Sequence, residues 1–121
     1  MTCLETIGGR IYLAASANGA THARIEPGGT LTPLTGFSGV IAFDFARHDD
    51  GRIYALASDL ANRSAVYVSD DGLAFRELIS VNDDRFGRVG QGNADGRPSL
   101  ASFQGQLYAG SSTNGRLYRL D

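Results

Sequence analysis

Along this chain, short runs in which apolar and polar residues alternate with a period of two are separated by clusters of Gly, Asp, Asn and Pro. Such alternation predicts half-buried β-strands, and the clusters between the runs supply turn chemistry. In the first third the runs are CLETIG, RIYLAASA, THARIE and TLTPL, parted by Gly8-Gly9, Asn18-Gly19 and Pro27-Gly28-Gly29. The middle third gives VIAFDFA, RIYALAS, SAVYVS and AFRELISV, with turns at Asp49-Asp50-Gly51 and Asp70-Asp71-Gly72. SLASFQ, QLYAGSS and GRLYRL close the chain. No apolar period of 3.6 persists for about ten residues, so helix is expected to be scarce and the chain all-β.

The runs also repeat. GRIYLAASANG (Gly9–Gly19), GRIYALASDL (Gly51–Leu60) and GQLYAGSSTNG (Gly105–Gly115) share a leading glycine at intervals of 42 and 54 residues. SLASFQGQLYAG (Ser99–Gly110) lies on CLETIGGRIYLA (Cys3–Ala14) without a gap. Periods of roughly 40 to 50 residues belong to propeller blades. RIYALA is apolar on both of its alternating faces, with Ile53, Ala55 and Ala57 on one side and Tyr54 and Leu56 on the other. A strand of that kind must be covered on both sides. A two-sheet sandwich covers one face of each sheet, whereas neighbouring propeller blades cover both. The expected fold is therefore all-β, built of about three four-stranded antiparallel propeller blades, the last incomplete. They form one segment over residues 1–121, with units at about 1–38, 39–82 and 97–121 and a long loop at 82–97.

Two segments resemble a known family. NDDRFGRVGQGNADGRPSLASFQGQLYAG (Asn82–Gly110) is similar to the blade junction of bacterial propellers related to kelch and Asp-box (sialidase-type) repeats, where an Asp-rich loop leads into a Ser-Leu strand. YVSDDGLAF (Tyr67–Phe75) resembles a degenerate Asp-box, Ser-x-Asp-x-Gly-x-Thr-Trp, with one spacer missing, Ala74 in place of the Thr and Phe75 in place of the Trp. The first unit carries EPGG (Glu26–Gly29) there and no Asp-box. The resemblance implies a propeller. Sialidases of this kind also need three clustered arginines, a tyrosine with a glutamate partner and an acid aspartate, and no residue-by-residue match carries that set onto this chain. Glu26 and Glu77 are expected at blade edges.

Composition narrows the partners. The 121 residues are 42% hydrophobic and 20% charged, with a net charge of −2, which gives no electrostatic case for nucleic acid or an anionic membrane. No apolar run approaches the roughly 18 residues of a membrane span. MTCLETIGGR lacks the basic and apolar regions of a signal peptide, so a cytoplasmic location is the default, and an extracellular one follows if the chain is a fragment. Cys3 is the sole cysteine and forms no internal disulfide.

Chemistry is sought in what does not repeat. Tyr12, Tyr54 and Tyr108 recur at one place in each unit and read as blade residues. His22, His48 and Cys3 lack zinc-ligand spacing, and His48 in ARHDDG reads as a solvated turn residue. The glycines of FGRVGQG precede no helix and do not form a dinucleotide loop. The long loop is the candidate ligand site, through Asp83, Asp84, Asn93 and Asp95. Its oxygens suit calcium, although no Glu closes a calcium loop; pairing of Arg85 or Arg88 with the aspartates is the competing reading. No cofactor is otherwise expected.

Two functions follow. One is a non-enzymatic propeller module that binds a glycan or a protein, or serves as a scaffold. The other is a subunit of a sialidase-like or lyase-like glycan-processing enzyme whose site forms between chains. Laying GRLYRLD on SAVYVSDDG ends the third unit at the turn before a fourth strand. Three units are too few for rings of about 4 to 8 blades, so the expected assembly is an obligate homodimer that closes a ring.

Overall fold

The computed structural model describes residues 2–16, 20–58, 63–82, 99–110 and 117–120. They form eleven strands: β1 Thr2–Ile7, β2 Arg10–Ser16, β3 Ala20–Ile25, β4 Leu31–Pro33, β5 Ile41–Arg47, β6 Ile53–Ser58, β7 Arg63–Ser69, β8 Arg76–Asn82, β9 Ser99–Phe103, β10 Gln106–Gly110 and β11 Leu117–Leu120. The described residues contain no helix, and the strands follow the alternating runs closely. TLTPL shortens to three residues, and Ala74 and Phe75 lie outside β8, in a bridge to Thr35.

Each sheet is an antiparallel meander in chain order: β1-β2-β3-β4, then β5-β6-β7-β8, then β9-β10-β11. Their first strands adjoin, β1 beside β5 and β5 beside β9. The hairpins explain the register. Ile7 pairs with Arg10 and Phe103 with Gln106, leaving two-residue loops at Gly8-Gly9 and Gln104-Gly105. All four loop residues have positive φ, as type I′ turns demand, and Gln104 at +49° is the sole non-glycine with positive φ among the described residues. The middle hairpin is longer. There His48 N–H donates to Arg52 and Gly51 N–H donates back to His48, a three-residue loop with Gly51 at φ +83°.

The core lies in two layers on either side of the middle sheet. In the first, Tyr12 and Ala14 of the first sheet pack with Phe45, Ile53, Ala55 and Tyr67, and Phe37 adds its ring between Tyr67 and Phe75. In the second, Tyr54, Leu56, Val66 and Val68 pack with Leu100, Leu107 and Ala109 of the third sheet. The two faces read from RIYALA are thus both buried, one in each layer. Two bulges adjust the fit. One in β5 makes Phe43 the extra residue, so that Phe43 and Phe45 both enter the first layer. The other, between β7 and β8, skips Leu78 and leaves it half exposed.

The Gln104-Gly105 turn generates a stability test. Replacing Gln104 with Asn, which tolerates the left-handed region better, is expected to stabilise the fold by about 0.5 kcal/mol. Gly105→Val at φ +77° is expected to destabilise it by about 1 to 3 kcal/mol. Urea denaturation midpoints read both; an unchanged midpoint for Gly105→Val would contradict the turn geometry.

Candidate functional site

Polar chemistry concentrates where one sheet meets the next. At the hairpin end, a cleft of about 230 Å³ between the first and second sheets is lined by Arg10, Tyr12, Arg24, Arg47, Asp70 and Asp71, among others. Strand alternation puts Arg10 and Tyr12 on one face of β2, beside Arg24 on β3. Glu26, in the turn after β3, accepts from Arg10 Nε at 2.8 Å and from Arg24 Nε at 2.5 Å. These bonds hold its carboxyl below the usual range, Arg24 contributing most. Glu26 therefore serves the cleft through a turn, where a blade edge was expected; Glu77 does lie on the outermost strand of its sheet. Tyr12 is buried and its hydroxyl bonds to Arg24, so it has a guanidinium partner where a nucleophilic tyrosine would need a carboxylate base. Arg47 makes no ion pair among the described residues.

The turn that floors this cleft is SDDGLAF, Ser69 to Phe75. Asp71 Oδ1 accepts from Leu73 N–H at 2.8 Å, Ala74 N–H at 2.9 Å and the Ser69 hydroxyl at 3.0 Å. Gly72 N–H donates to buried Ser69. Gly72 also permits the packing of the turn on the first sheet, since a Cβ there would meet the Tyr12 hydroxyl at 2.5 Å and φ is +79°.

The second group of polar residues spans the joints nearer the first strands. His22 Nε2 accepts from Ala42 N–H at 3.0 Å across the first joint and stacks on Phe37 at 4.3 Å. An accepting Nε2 places the imidazole proton on Nδ1. Burial lowers the His22 pKa from the usual 6.5 to about 4. Across the second joint, Asp44 Oδ2 accepts from Leu100 N–H at 2.7 Å, and its Oδ1 accepts from Phe45 N–H at 3.0 Å. Burial raises the Asp44 pKa from 3.8 to about 6; the Glu5 side chain, hydrogen-bonded to it from β1, adds to the rise and the two backbone bonds oppose it. His48 corrects the expectation of a solvated turn residue. Its Nδ1 lies 2.7 Å from Ser102 Oγ in the third sheet and its ring meets Tyr54 edge-on, because the longer middle hairpin folds it onto the neighbouring sheet.

The outer faces expose large apolar side chains. On the first sheet, Leu4, Ile11, Leu13, Ile25 and Leu31 share the side turned away from the middle sheet, and Leu4 and Leu31 are exposed. On the corresponding side of the third sheet Ala101, Phe103, Tyr108 and Leu117 alternate with Ser99, Gln106 and Arg119, and Phe103 and Leu117 are exposed.

Asp83, Asp84, Asn93 and Asp95, the ligand residues expected from sequence, lie outside the described residues. So do Arg85 and Arg88. Among the described residues, no three His, Cys, Asp or Glu side chains form a metal-binding group, and no helix is long and apolar enough to cross a membrane. Sequence reading passed over Asp44 and weighed His22 only as a zinc ligand. The signal for Asp44 was its place as the one charge within VIAFDFA; His22 had only its alternation with Arg24. Searches against family models, curated proteins and solved structures give no match to this chain.

Two measurements test these contacts. Asp71→Ala is expected to cost about 1 to 2 kcal/mol through lost turn hydrogen bonds, and Asp71→Asn less, because the amide oxygen still accepts. Equal urea midpoints for wild type and Asp71→Ala would refute the role. The second concerns pH. Asp44, with its folded pKa raised, contributes stability that is complete below pH 3.8 and lost as pH rises through 6. His22, with its folded pKa lowered, contributes stability that is complete above pH 6.5 and lost as pH falls toward 4. Between pH 4 and 6 the two slopes oppose each other. His22→Gln is therefore expected to gain stability on acidification from pH 6.5 to 4.5, and Asp44→Asn to lose it; parallel pH profiles for the two variants would contradict both assignments.

Proposed function

We propose that the chain is a non-enzymatic scaffold and binding module, in which each sheet is a propeller blade and copies of the chain close a ring that presents its loops and clefts to a glycan or a protein. The observation that carries this reading is the exposure of Leu4 and Leu31 on the outer face of the first sheet and of Phe103 and Leu117 on that of the third. Each such side chain left in water forgoes about 1.5 to 3 kcal/mol that burial would bring, which favours an interface on these two faces. Face-to-face stacking of successive meanders, with their first strands adjoining, supports the blade reading. Two copies of three sheets supply six blades, within the usual range of about 4 to 8. The cleft lined by Arg10, Arg24, Arg47, Asp70 and Asp71 sets guanidinium groups beside carboxylates, a mixture suited to glycan hydroxyls or a polar peptide. Asp83, Asp84, Asn93 and Asp95 remain the proposed loop contacts, with calcium as their proposed ion.

The enzyme reading draws on one observation, the raised pKa of Asp44 beside Glu5. Both Asp44 oxygens already accept backbone N–H groups, which suits a strand cap better than a proton donor.

Light scattering coupled to size-exclusion chromatography tests the assembly. The expected mass is twice the 12.8 kDa of one chain. A folded species at the monomer mass overturns the ring, and a larger mass revises the number of copies. Leu4→Glu on the first outer face is expected to yield folded monomers, with native circular dichroism as the control for folding.

A further inference from the structure

The two joints inside the chain are built from equivalent positions. Aligning the units on Gly9, Gly51 and Gly105 makes Tyr12, Tyr54 and Tyr108 equivalent, and likewise Ile11, Ile53 and Leu107. The strand registers extend the equivalence to the first strands. Leu4 pairs with Leu13, Phe45 with Ala55 and Leu100 with Ala109, so Leu4, Phe45 and Leu100 occupy one position. In the first joint, Tyr12 of one sheet meets Phe45 of the next with ring centroids 5.5 Å apart. In the second, Tyr54 joins the same cluster as Leu100 and Leu107. Each joint thus takes a tyrosine-bearing face from one sheet and an aliphatic or aromatic face from the sheet that follows.

Among the described residues, the outer sides of the first and third sheets each present one half of such a joint. The third sheet has the tyrosine-bearing face, with Tyr108 and Phe103, and the first sheet has the receiving face, with Leu4, Ile11 and Leu13. Burial follows the joint. Leu4 is 61% exposed, whereas Phe45 and Leu100 at the same position are 2% and 8% exposed. Phe103, also 61% exposed, is equivalent by register to Ile7, which packs against the first core.

We propose that copies of the chain associate head to tail, the outer face of the third sheet in one copy packing on the outer face of the first sheet in the next and reproducing the joint made twice within the chain. The occupant of each face is a second copy of this chain, because the two faces are the complementary halves of one repeated interface. Like-with-like contact would instead set Leu4 against Leu4 and Tyr108 against Tyr108, a pairing made at neither internal joint. A head-to-tail contact whose rotation closes gives a ring, and one that does not gives a filament. This inference rests on the assembly proposed above and adds which face meets which.

Cysteine cross-linking separates the two. Leu4→Cys and Tyr108→Cys are made in different chains, and each variant alone and their equimolar mixture, refolded together, are treated with a short bismaleimide. The unaltered chain sets the background, since its Cys3 packs against the first core. Head-to-tail packing is expected to give covalent dimer in the mixture at least fivefold above background, with neither variant alone exceeding background. Should Tyr108→Cys fail to fold, Phe103→Cys on the same face replaces it. Cross-linking of a variant with itself, or none in a mixture that light scattering finds assembled, overturns the head-to-tail contact and leaves the ring proposal standing. Folded monomers in every sample overturn both.

Discussion

The rest of the molecule depends on the covering of both faces of the middle sheet. Tyr54, Leu56, Val66 and Val68 point one way from it and Phe45, Ile53, Ala55 and Tyr67 the other, so neither side can face water without a large hydrophobic cost. One neighbour on each side meets the requirement, and the first strands of the three sheets consequently adjoin. On the first and third sheets only the face toward the middle sheet is covered in this way, and Leu4, Leu31, Phe103 and Leu117 are exposed on the other. Small residues make the stacking close: Ala14, Ala55, Ala57 and Ala109 are almost wholly buried, and larger side chains there would hold the sheets apart.

Stacking sheets in this way creates a polar problem, because β5 and β9 are edge strands whose outward N–H groups need acceptors. Side chains of neighbouring elements supply them. His22 reaches across to Ala42, and Asp44 takes the Leu100 N–H after the β5 bulge has re-aimed the strand. Both acceptors are ionisable and both are partly buried, which is why their pKa values move, in opposite directions: burial disfavours the charged form of each. A carboxylate and an imidazole thus hold joints that an amide could hold without titrating.

The polar cleft has a different character. Its carboxylates are engaged, Glu26 by two arginines, Asp70 by Arg52 and Arg76, and Asp71 by the turn that it organises. Groups bonded to that extent position surfaces; none of them pairs a nucleophile with a base. Among the described residues, much of the polar chemistry goes into holding sheets and turns together.

The strands, their order and the glycine turns were determined by the sequence itself, because alternation, β-branched and aromatic content and positive-φ residues act locally and leave a local mark. RIYALA even announced that its sheet would be covered twice, and Asp70-Asp71-Gly72 announced a turn, whose organisation by Asp71 the structure added. The three-dimensional packing alone decided which residues meet. His48 looked like a solvated turn residue because the chain around it is a hairpin, and it became a joint residue because Ser102, fifty-four positions away, lies beneath it. Asp44, His22 and the Arg10–Glu26–Arg24 group acquired their roles in the same way. The physical reason is that a side chain's partner across a sheet-to-sheet joint is set by the register and stacking of separate strands, and no spacing along one strand records it.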